Sequence, residues 1–168
     1  MNKAELSGVC RQMRRDIINM TANAGSGHPG GSLSAVELVA SVFHNHMRID
    51  PQNPHWADRD RFVLSKGHAA PCYYAVLAEL GFISRDEFKN FRQLHSILQG
   101  HPDCKKVPGV DASTCSLVRA ALLPWVWRWA PSSSTRIAGS MPCWATASAR
   151  RARSGSPSWR LPTISWTT

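Results

Sequence analysis

Residues 24–31 read Ala24-Gly25-Ser26-Gly27-His28-Pro29-Gly30-Gly31, four glycines and a proline around one histidine. Such a run cannot continue a helix, and it lets another backbone or a ligand come close. It therefore separates two helical patterns. Upstream, over residues 4–22, Leu6, Val9, Met13, Ile17 and Met20 recur at threes and fours, while Arg11, Arg14 and Arg15 lie off that stripe. Downstream, Ser34 and Glu37 make a capping-box pattern before the apolar run of Leu38, Val39, Val42 and Phe43, which predicts a second helix.

Further out, Asp50-Pro51 and Asn53-Pro54 mark residues 50–60 as loop. Phe62-Val63-Leu64-Ser65 reads as a short buried strand running into Lys66-Gly67-His68. A helix through Leu80 follows, with Gly81 as its stop. Ser84 and Glu87 form a second capping-box pattern, which predicts a short helix over 85–91. Gly100-His101-Pro102 and Val107-Pro108-Gly109 punctuate a loop. The pattern is a helix-rich α/β beginning whose motifs sit at loop-to-helix junctions, where phosphates and polar ligands are often held.

Three histidines have glycine at their side: His28 in GSGHPGG, His68 in LSKGHAAP and His101 in QGHPD. Each projects from a tight turn, and an imidazole there can donate, accept or shuttle a proton near neutral pH. The competing readings are turn histidines that bond locally, or a metal site, which their wide spacing neither supports nor excludes. His44, His46, His55 and His95 read as structural or solvated, and the Arg59/Arg61 pair reads as surface.

The chain has 168 residues, enough for one domain with a core, and a net charge of +9. Residues 1–111 hold 13 of the 20 Lys+Arg and all 11 Asp+Glu, so most of the excess belongs to the seven arginines of 112–168. That weakens the inference from net charge to a nucleic-acid or membrane partner. Cys10, Cys72, Cys104, Cys115 and Cys143 contain no CxxC pair, so neither a zinc site nor a disulfide framework is indicated. Charges from Lys3 to Asp16 interrupt any signal core, and no stretch is long and apolar enough to span a membrane. The expected compartment is the cytoplasm.

AGSGHPGGSLSAVEL, DRDRFVLSKGHAAPCYYAVLAELGF, GHPD and GVDAST together resemble transketolases, and most closely the N-terminal subunit of split bacterial forms. The resemblance runs continuously over residues 1–117 and places them in the pyrophosphate-binding domain. It implies a thiamine diphosphate-binding fold, a doubly wound parallel sheet with helices on both faces, of which only an incomplete, helix-rich N-terminal part is present. It also implies thiamine diphosphate and Mg2+ as cofactors, ketol transfer from a ketose phosphate to an aldose phosphate, a C-terminal subunit or domain, and a homodimer-like assembly. By matching motifs, His28 and His101 would bond the substrate and assist proton transfer, and His68 would contact the diphosphate. Relatives read Gly-Ser-Leu-Gly-Gln-Gly where this chain reads Cys115-Ser116-Leu117 and then departs. Cys115 adds bulk where close approach of the cofactor is expected. The related synthase that builds deoxyxylulose phosphate is a second thiamine diphosphate possibility, but the GHPGG and GHPD contexts favour transketolase.

From Ala112 to Thr168 the composition changes: Asp, Glu, Lys, Asn, Gln, His, Tyr and Phe are all missing, and six of the seven Trp lie there. Disordered tails are poor in Trp and rich in Glu, Lys and Gln, while folded domains carry mixed surface charge. The genetic code offers an explanation. In the frame that takes the third base of each codon with the first two of the next, Cys143-Trp144-Ala145 forces Leu-Gly, and the continuation through Ser148 permits Asp-Gly-Glu. In the same frame Leu123 to Ser132 permits Ala-Val-Gly-Met-Ala-Leu-Gly-Ala-Lys. The family's Gly-Asp-Gly motif, whose Asp holds Mg2+ together with a later Asn, is absent as the chain stands and appears in that shifted frame. Loss of one base near the Leu117 codon accounts for the join, so residues 118–168 read as an out-of-frame tail.

Such a tail is expected to be disordered or collapsed, prone to associate through Trp, and to bind anions only weakly through Arg150, Arg151 and Arg153. A functional basic tail acting on nucleic acid is the alternative from another class, although no recognition motif accompanies the charge. With most strands of the sheet beyond the break, the early helices are expected to expose the apolar faces meant for those strands.

Overall fold

A computed structural model describes residues 1–56 and 59–114 of the chain. Cys115, Ser116, Leu117 and the tail expectations for 118–168 lie outside the described residues.

The first helix, α1, spans Lys3–Asn23. A reciprocal cap starts it: Glu5 N–H donates to Asn2 Oδ1 and Asn2 N–H donates to Glu5 Oε2, both at 2.9 Å. Its buried line of Cys10, Met13, Ile17 and Met20, flanked by Leu6 and Val9, is the stripe read from the sequence. Asp16 is buried on the same side. It accepts from Gln12 Nε2 at 2.8 Å and pairs with Arg85 at 3.3 Å, tying α1 to the 3-10 turn Arg85–Asn90.

The glycine cluster holds a short helix that the sequence reading missed, α2 over Pro29–Leu33, with His28 as its cap residue and Pro29 at its first position. Helix α3, Val36–Asn45, follows immediately. Ser34 does not cap α3, contrary to the capping-box expectation. It still belongs to the end of α2, where its N–H donates to Gly30 O at 3.1 Å and its hydroxyl donates to Gly31 O at 3.1 Å. Glu37 instead pairs with Arg14 across to α1.

The Phe62–Ser65 segment is not a strand. No ladder forms among the described residues, and the Phe62 N–H donates to a side chain, Asp111 Oδ2, at 2.7 Å. A 3-10 turn, Gly67–Ala69, leads into α4, Ala70–Leu80. Gly81 ends α4 with φ +89, the left-handed conformation expected of a glycine stop. The second capping box is replaced by a tighter 3-10 turn, because Ser84 accepts from Asp86 N–H and not from Glu87.

Helix α4 is apolar nearly all round and buried from Ala70 to Ala78, as the centre of a core must be. It packs against α1, α2 and α3. Phe43, Phe62 and Tyr73 meet in edge-on and tilted pairs with ring centroids 4.9–5.8 Å apart. The expectation of widely exposed helix faces is overturned. Of the large apolar side chains on the described helices, only Ile18 and Leu38 are exposed, because the helices cover one another around α4.

Candidate functional site

His28 reaches its position through two left-handed glycines, Gly25 at φ +59 and Gly27 at φ +142, which turn the chain out of α1. The His28 carbonyl accepts the Ser32 N–H at 3.2 Å and the Ser32 hydroxyl at 3.1 Å, which fixes the start of α2. His68 sits in the 3-10 turn before α4. The two imidazoles meet edge to face, with ring centroids 5.3 Å apart and planes at 63°.

Glycine makes this approach possible at two points. A Cβ on Gly31 would lie 3.4 Å from the His68 ring, and one on Gly67 would lie 2.5 Å from the Thr114 carbonyl oxygen. The backbone at Thr114 is thus laid directly on the turn that carries His68.

His101 comes from the loop after residue 99, where Tyr74 Oη donates to Gln99 O at 2.8 Å and to His101 O at 3.3 Å. Partial burial lowers its pKa, and the nearby Arg92 and His28 lower it further. Partial burial also lowers the His68 pKa, with His28, Lys66 and His101 adding to the effect. Neither ring is stabilised as a cation, so near neutral pH each keeps one nitrogen as donor and one as acceptor. A cavity of about 720 Å3 opens beside His101, lined among others by Arg92, Gln99, Asp103, Lys105 and Thr114. His28 and His68 lie outside that lining.

The structure brings the His28 and His68 rings together, and His101, on the cavity loop, is near enough for its charge to be felt at His68. Of the remaining histidines, His46, His55 and His95 are exposed, and His44 is half-buried with its Nε2 lacking a hydrogen-bond partner.

Three residues of the site region were not read from the sequence as functional. Lys66 is buried at 5% exposure, and its ammonium donates to Gly31 O at 2.8 Å and Ser34 Oγ at 3.2 Å, joining the His68 turn to α2. No carboxylate among the described residues pairs with it. Arg92 holds φ +64 beside the cavity. Asp111 is the third. Its side chain is buried, pairs with Arg59 at 2.5 Å and Arg61 at 3.6 Å, and accepts the Phe62 N–H. This corrects the surface reading of the arginine pair. Arg59 is buried because the carboxylate of Asp111, distant in sequence, compensates it. Alternating polarity gave no sign of that partnership.

The site fits the anionic half of a phosphate-bearing cofactor: glycine turns and imidazole donors lie near a buried ammonium that pairs with no carboxylate among the described residues. Among the described residues no group of three His, Cys, Asp or Glu side chains could hold a metal ion. No helix among them is long and apolar enough to cross a membrane.

The fold and this site define a phosphate-binding domain segment of the thiamine diphosphate type. Residues 5–120 match the family model described as transketolase, thiamine diphosphate binding domain, and the chain belongs to that family. It is 40% identical over 115 residues to transketolase 2 of Aliivibrio fischeri, covering 68% of this chain and 17% of that protein. Transketolase 1 of Vibrio cholerae is also 40% identical, over 114 residues. Among solved structures, Pichia stipitis transketolase in complex with sedoheptulose 7-phosphate superposes with a TM-score of 0.65 at 34% identity, over 69% of this chain and 17% of that one. Campylobacter jejuni transketolase gives 0.62 at 37% identity, over 68% and 18%. The chain thus spans about 17% of the length of the curated relatives it matches. These relatives favour neither the nucleic-acid reading nor the related synthase.

Proposed function

We propose that residues 1–117 are the substrate- and diphosphate-facing beginning of a transketolase pyrophosphate-binding domain, and that residues 118–168 are read out of frame. The observation that supports this most is the meeting of two glycine-flanked histidines distant in sequence, with the His28 and His68 rings 5.3 Å apart.

Bound thiamine diphosphate supplies a stabilised carbanion and an electron sink for ketol transfer from a ketose phosphate to an aldose phosphate. The chain's own residues do the rest. His28 and His101 bond the substrate's first hydroxyl and carbonyl oxygen and assist its proton transfer. His68 donates to the diphosphate, with the Lys66 charge behind it. Cys115, Ser116 and Leu117 stand where the family's cofactor-contacting Gly-Ser-Leu motif is expected, with cysteine in place of its glycine.

The Mg2+ of the family does not fit the residues present. The Gly-Asp-Gly aspartate and the later Asn that would hold it are missing from this frame, and no step is routed through the metal. Restoring the frame returns them. The restored enzyme works in the cytoplasm with a C-terminal subunit or domain, in a homodimer-like assembly, on sugar phosphates. The chain as it stands binds thiamine diphosphate weakly and transfers no ketol group.

The test is to insert one base at the Leu117 codon and compare both proteins by calorimetry with thiamine diphosphate and Mg2+, adding the partner subunit for ketol transfer. Binding and transfer gained only in the restored frame support the proposal. Ketol transfer by the unrestored chain, purified free of host enzyme, would refute its inactivity. A restored protein that binds no cofactor would refute the frame assignment.

A further inference from the structure

The loop after Phe91 adopts a costly conformation. Arg92 and His95 are the non-glycine residues with positive φ among those described, at +64 and +67. A side chain in the left-handed region is strained, so glycine would suit either position better unless the side chain is needed. The loop over-determines this shape. Arg92 N–H donates to Leu98 O at 2.9 Å, Leu98 N–H to Ser96 Oγ at 3.0 Å, and Gln99 Nε2 to both Gln93 O and Ser96 O at 3.0 and 2.8 Å. Phe91 and Leu98 anchor it in the core.

At Arg92 the side chain is put to use. Its guanidinium lies 6.0 Å from the Phe91 ring centroid. It also lies so close to Gly100 that a Cβ there would fall 2.7 Å from Nε and 2.8 Å from Nη2. The guanidinium thus lies directly on the Gly100 backbone, and the next residue is His101. No carboxylate among the described residues pairs with Arg92.

We propose that Arg92 is a positioning residue for His101: its left-handed backbone brings the guanidinium to the Gly100 turn, where it adds a positive charge beside the next residue, His101, in the cavity both line. The inference rests on the reading of His101 as a substrate-facing base, which such a neighbour keeps neutral.

The other groups around His101 do not cancel that charge. His28 acts in the same direction as Arg92. Lys105 lines the same cavity and is also positive. Asp103 is the opposing charge, but its Oδ1 is engaged by the Lys105 N–H at 3.0 Å and the Ser113 hydroxyl at 3.2 Å. Tyr74 touches only the His101 carbonyl, through its hydroxyl.

The test follows the imidazole signals of the full chain by NMR across pH, with Arg92→Gln and Arg92→Lys. In Arg92→Gln the His101 midpoint is expected to rise by about half a pH unit while the His68 midpoint stays, since the effect of a partly screened charge is local. Arg92→Lys keeps the charge and is expected to keep the midpoint low. Added salt raises the midpoint more in the parent than in Arg92→Gln. An unchanged His101 midpoint in Arg92→Gln overturns the proposal, as does a parent midpoint at the ordinary 6.5. Should Arg92→Gln unfold, all seven histidines collapse to one value. Folded Arg92→Lys then decides: a low midpoint supports the proposal and one at 6.5 overturns it. These titrations need no cofactor, so a wrong assignment of function appears separately, as absent thiamine diphosphate binding in the restored frame.

Discussion

Two charged regions of this molecule, a buried one around Asp111 and a largely exposed one around His68, are built on opposite plans. Around Asp111 the charges compensate: one carboxylate faces Arg59 and Arg61 and accepts the Phe62 N–H. Around His68 they do not: Lys66 is buried against a carbonyl and a hydroxyl, and His28, His101 and Arg92 add to the same sign or to none. The first arrangement finds its opposite charge within the chain, although Arg59 Nε has no hydrogen-bond partner there. The second pairs no carboxylate with Lys66 among the described residues. The contrast separates a clamp that holds the fold from a region whose buried ammonium is left to neutral acceptors.

The sharpest way to break the contrast is to remove the clamp. Asp111→Ala leaves Arg59 buried without its carboxylate and Phe62 N–H without an acceptor. The expected loss is about 3–5 kcal/mol of unfolding free energy, measured by urea titration. A loss under about 1 kcal/mol would mean that the pair is a surface ornament. Next in size is Gly67→Ala, whose Cβ would sit 2.5 Å from the Thr114 carbonyl. It should cost about 1–3 kcal/mol. Gly30→Ala, with nothing within 4 Å, should change stability by less than about 1 kcal/mol in the same assay.

Lys66→Met sharpens the comparison from the other side. Methionine fills similar volume without a charge to desolvate, so stability should stay within about 1 kcal/mol of the parent or rise. A fall as large as that of Asp111→Ala would make Lys66 a second clamp and erase the distinction.

The smallest expected effect is a pH dependence. His44, His68 and His101 have pKa values lowered below 6.5 by burial first. Below 6.5 the unfolded chain binds more protons at these sites than the folded one. Their contribution to stability is therefore present above pH 6.5 and is lost as pH falls through the folded values. Urea midpoints should decline from pH 7.5 to pH 5, and a flat profile would contradict the lowered values.

The helical skeleton was legible because apolar periodicity and glycine stops are local. The α1 stripe and the Gly81 stop came through as read. Boundaries that depended on competition did not. Ser34 looked like a helix cap, but α2 already held it and Lys66 bonded it from a distant turn. The Phe62–Ser65 strand failed because a strand is a pairing, and the sequence names the apolar run without naming its partner.

By itself the sequence determined the apolar stripe of α1, the glycine stop of α4 and the three glycine-flanked histidines. These are properties of neighbours along the chain. Tertiary structure alone decided that His28 and His68 lie ring to ring, that Arg59 is buried against Asp111, and that Arg92 is seated on the Gly100 turn. Each of these depends on where the folded backbone brings residues that are far apart in sequence, or on a local strain that the surrounding packing sustains.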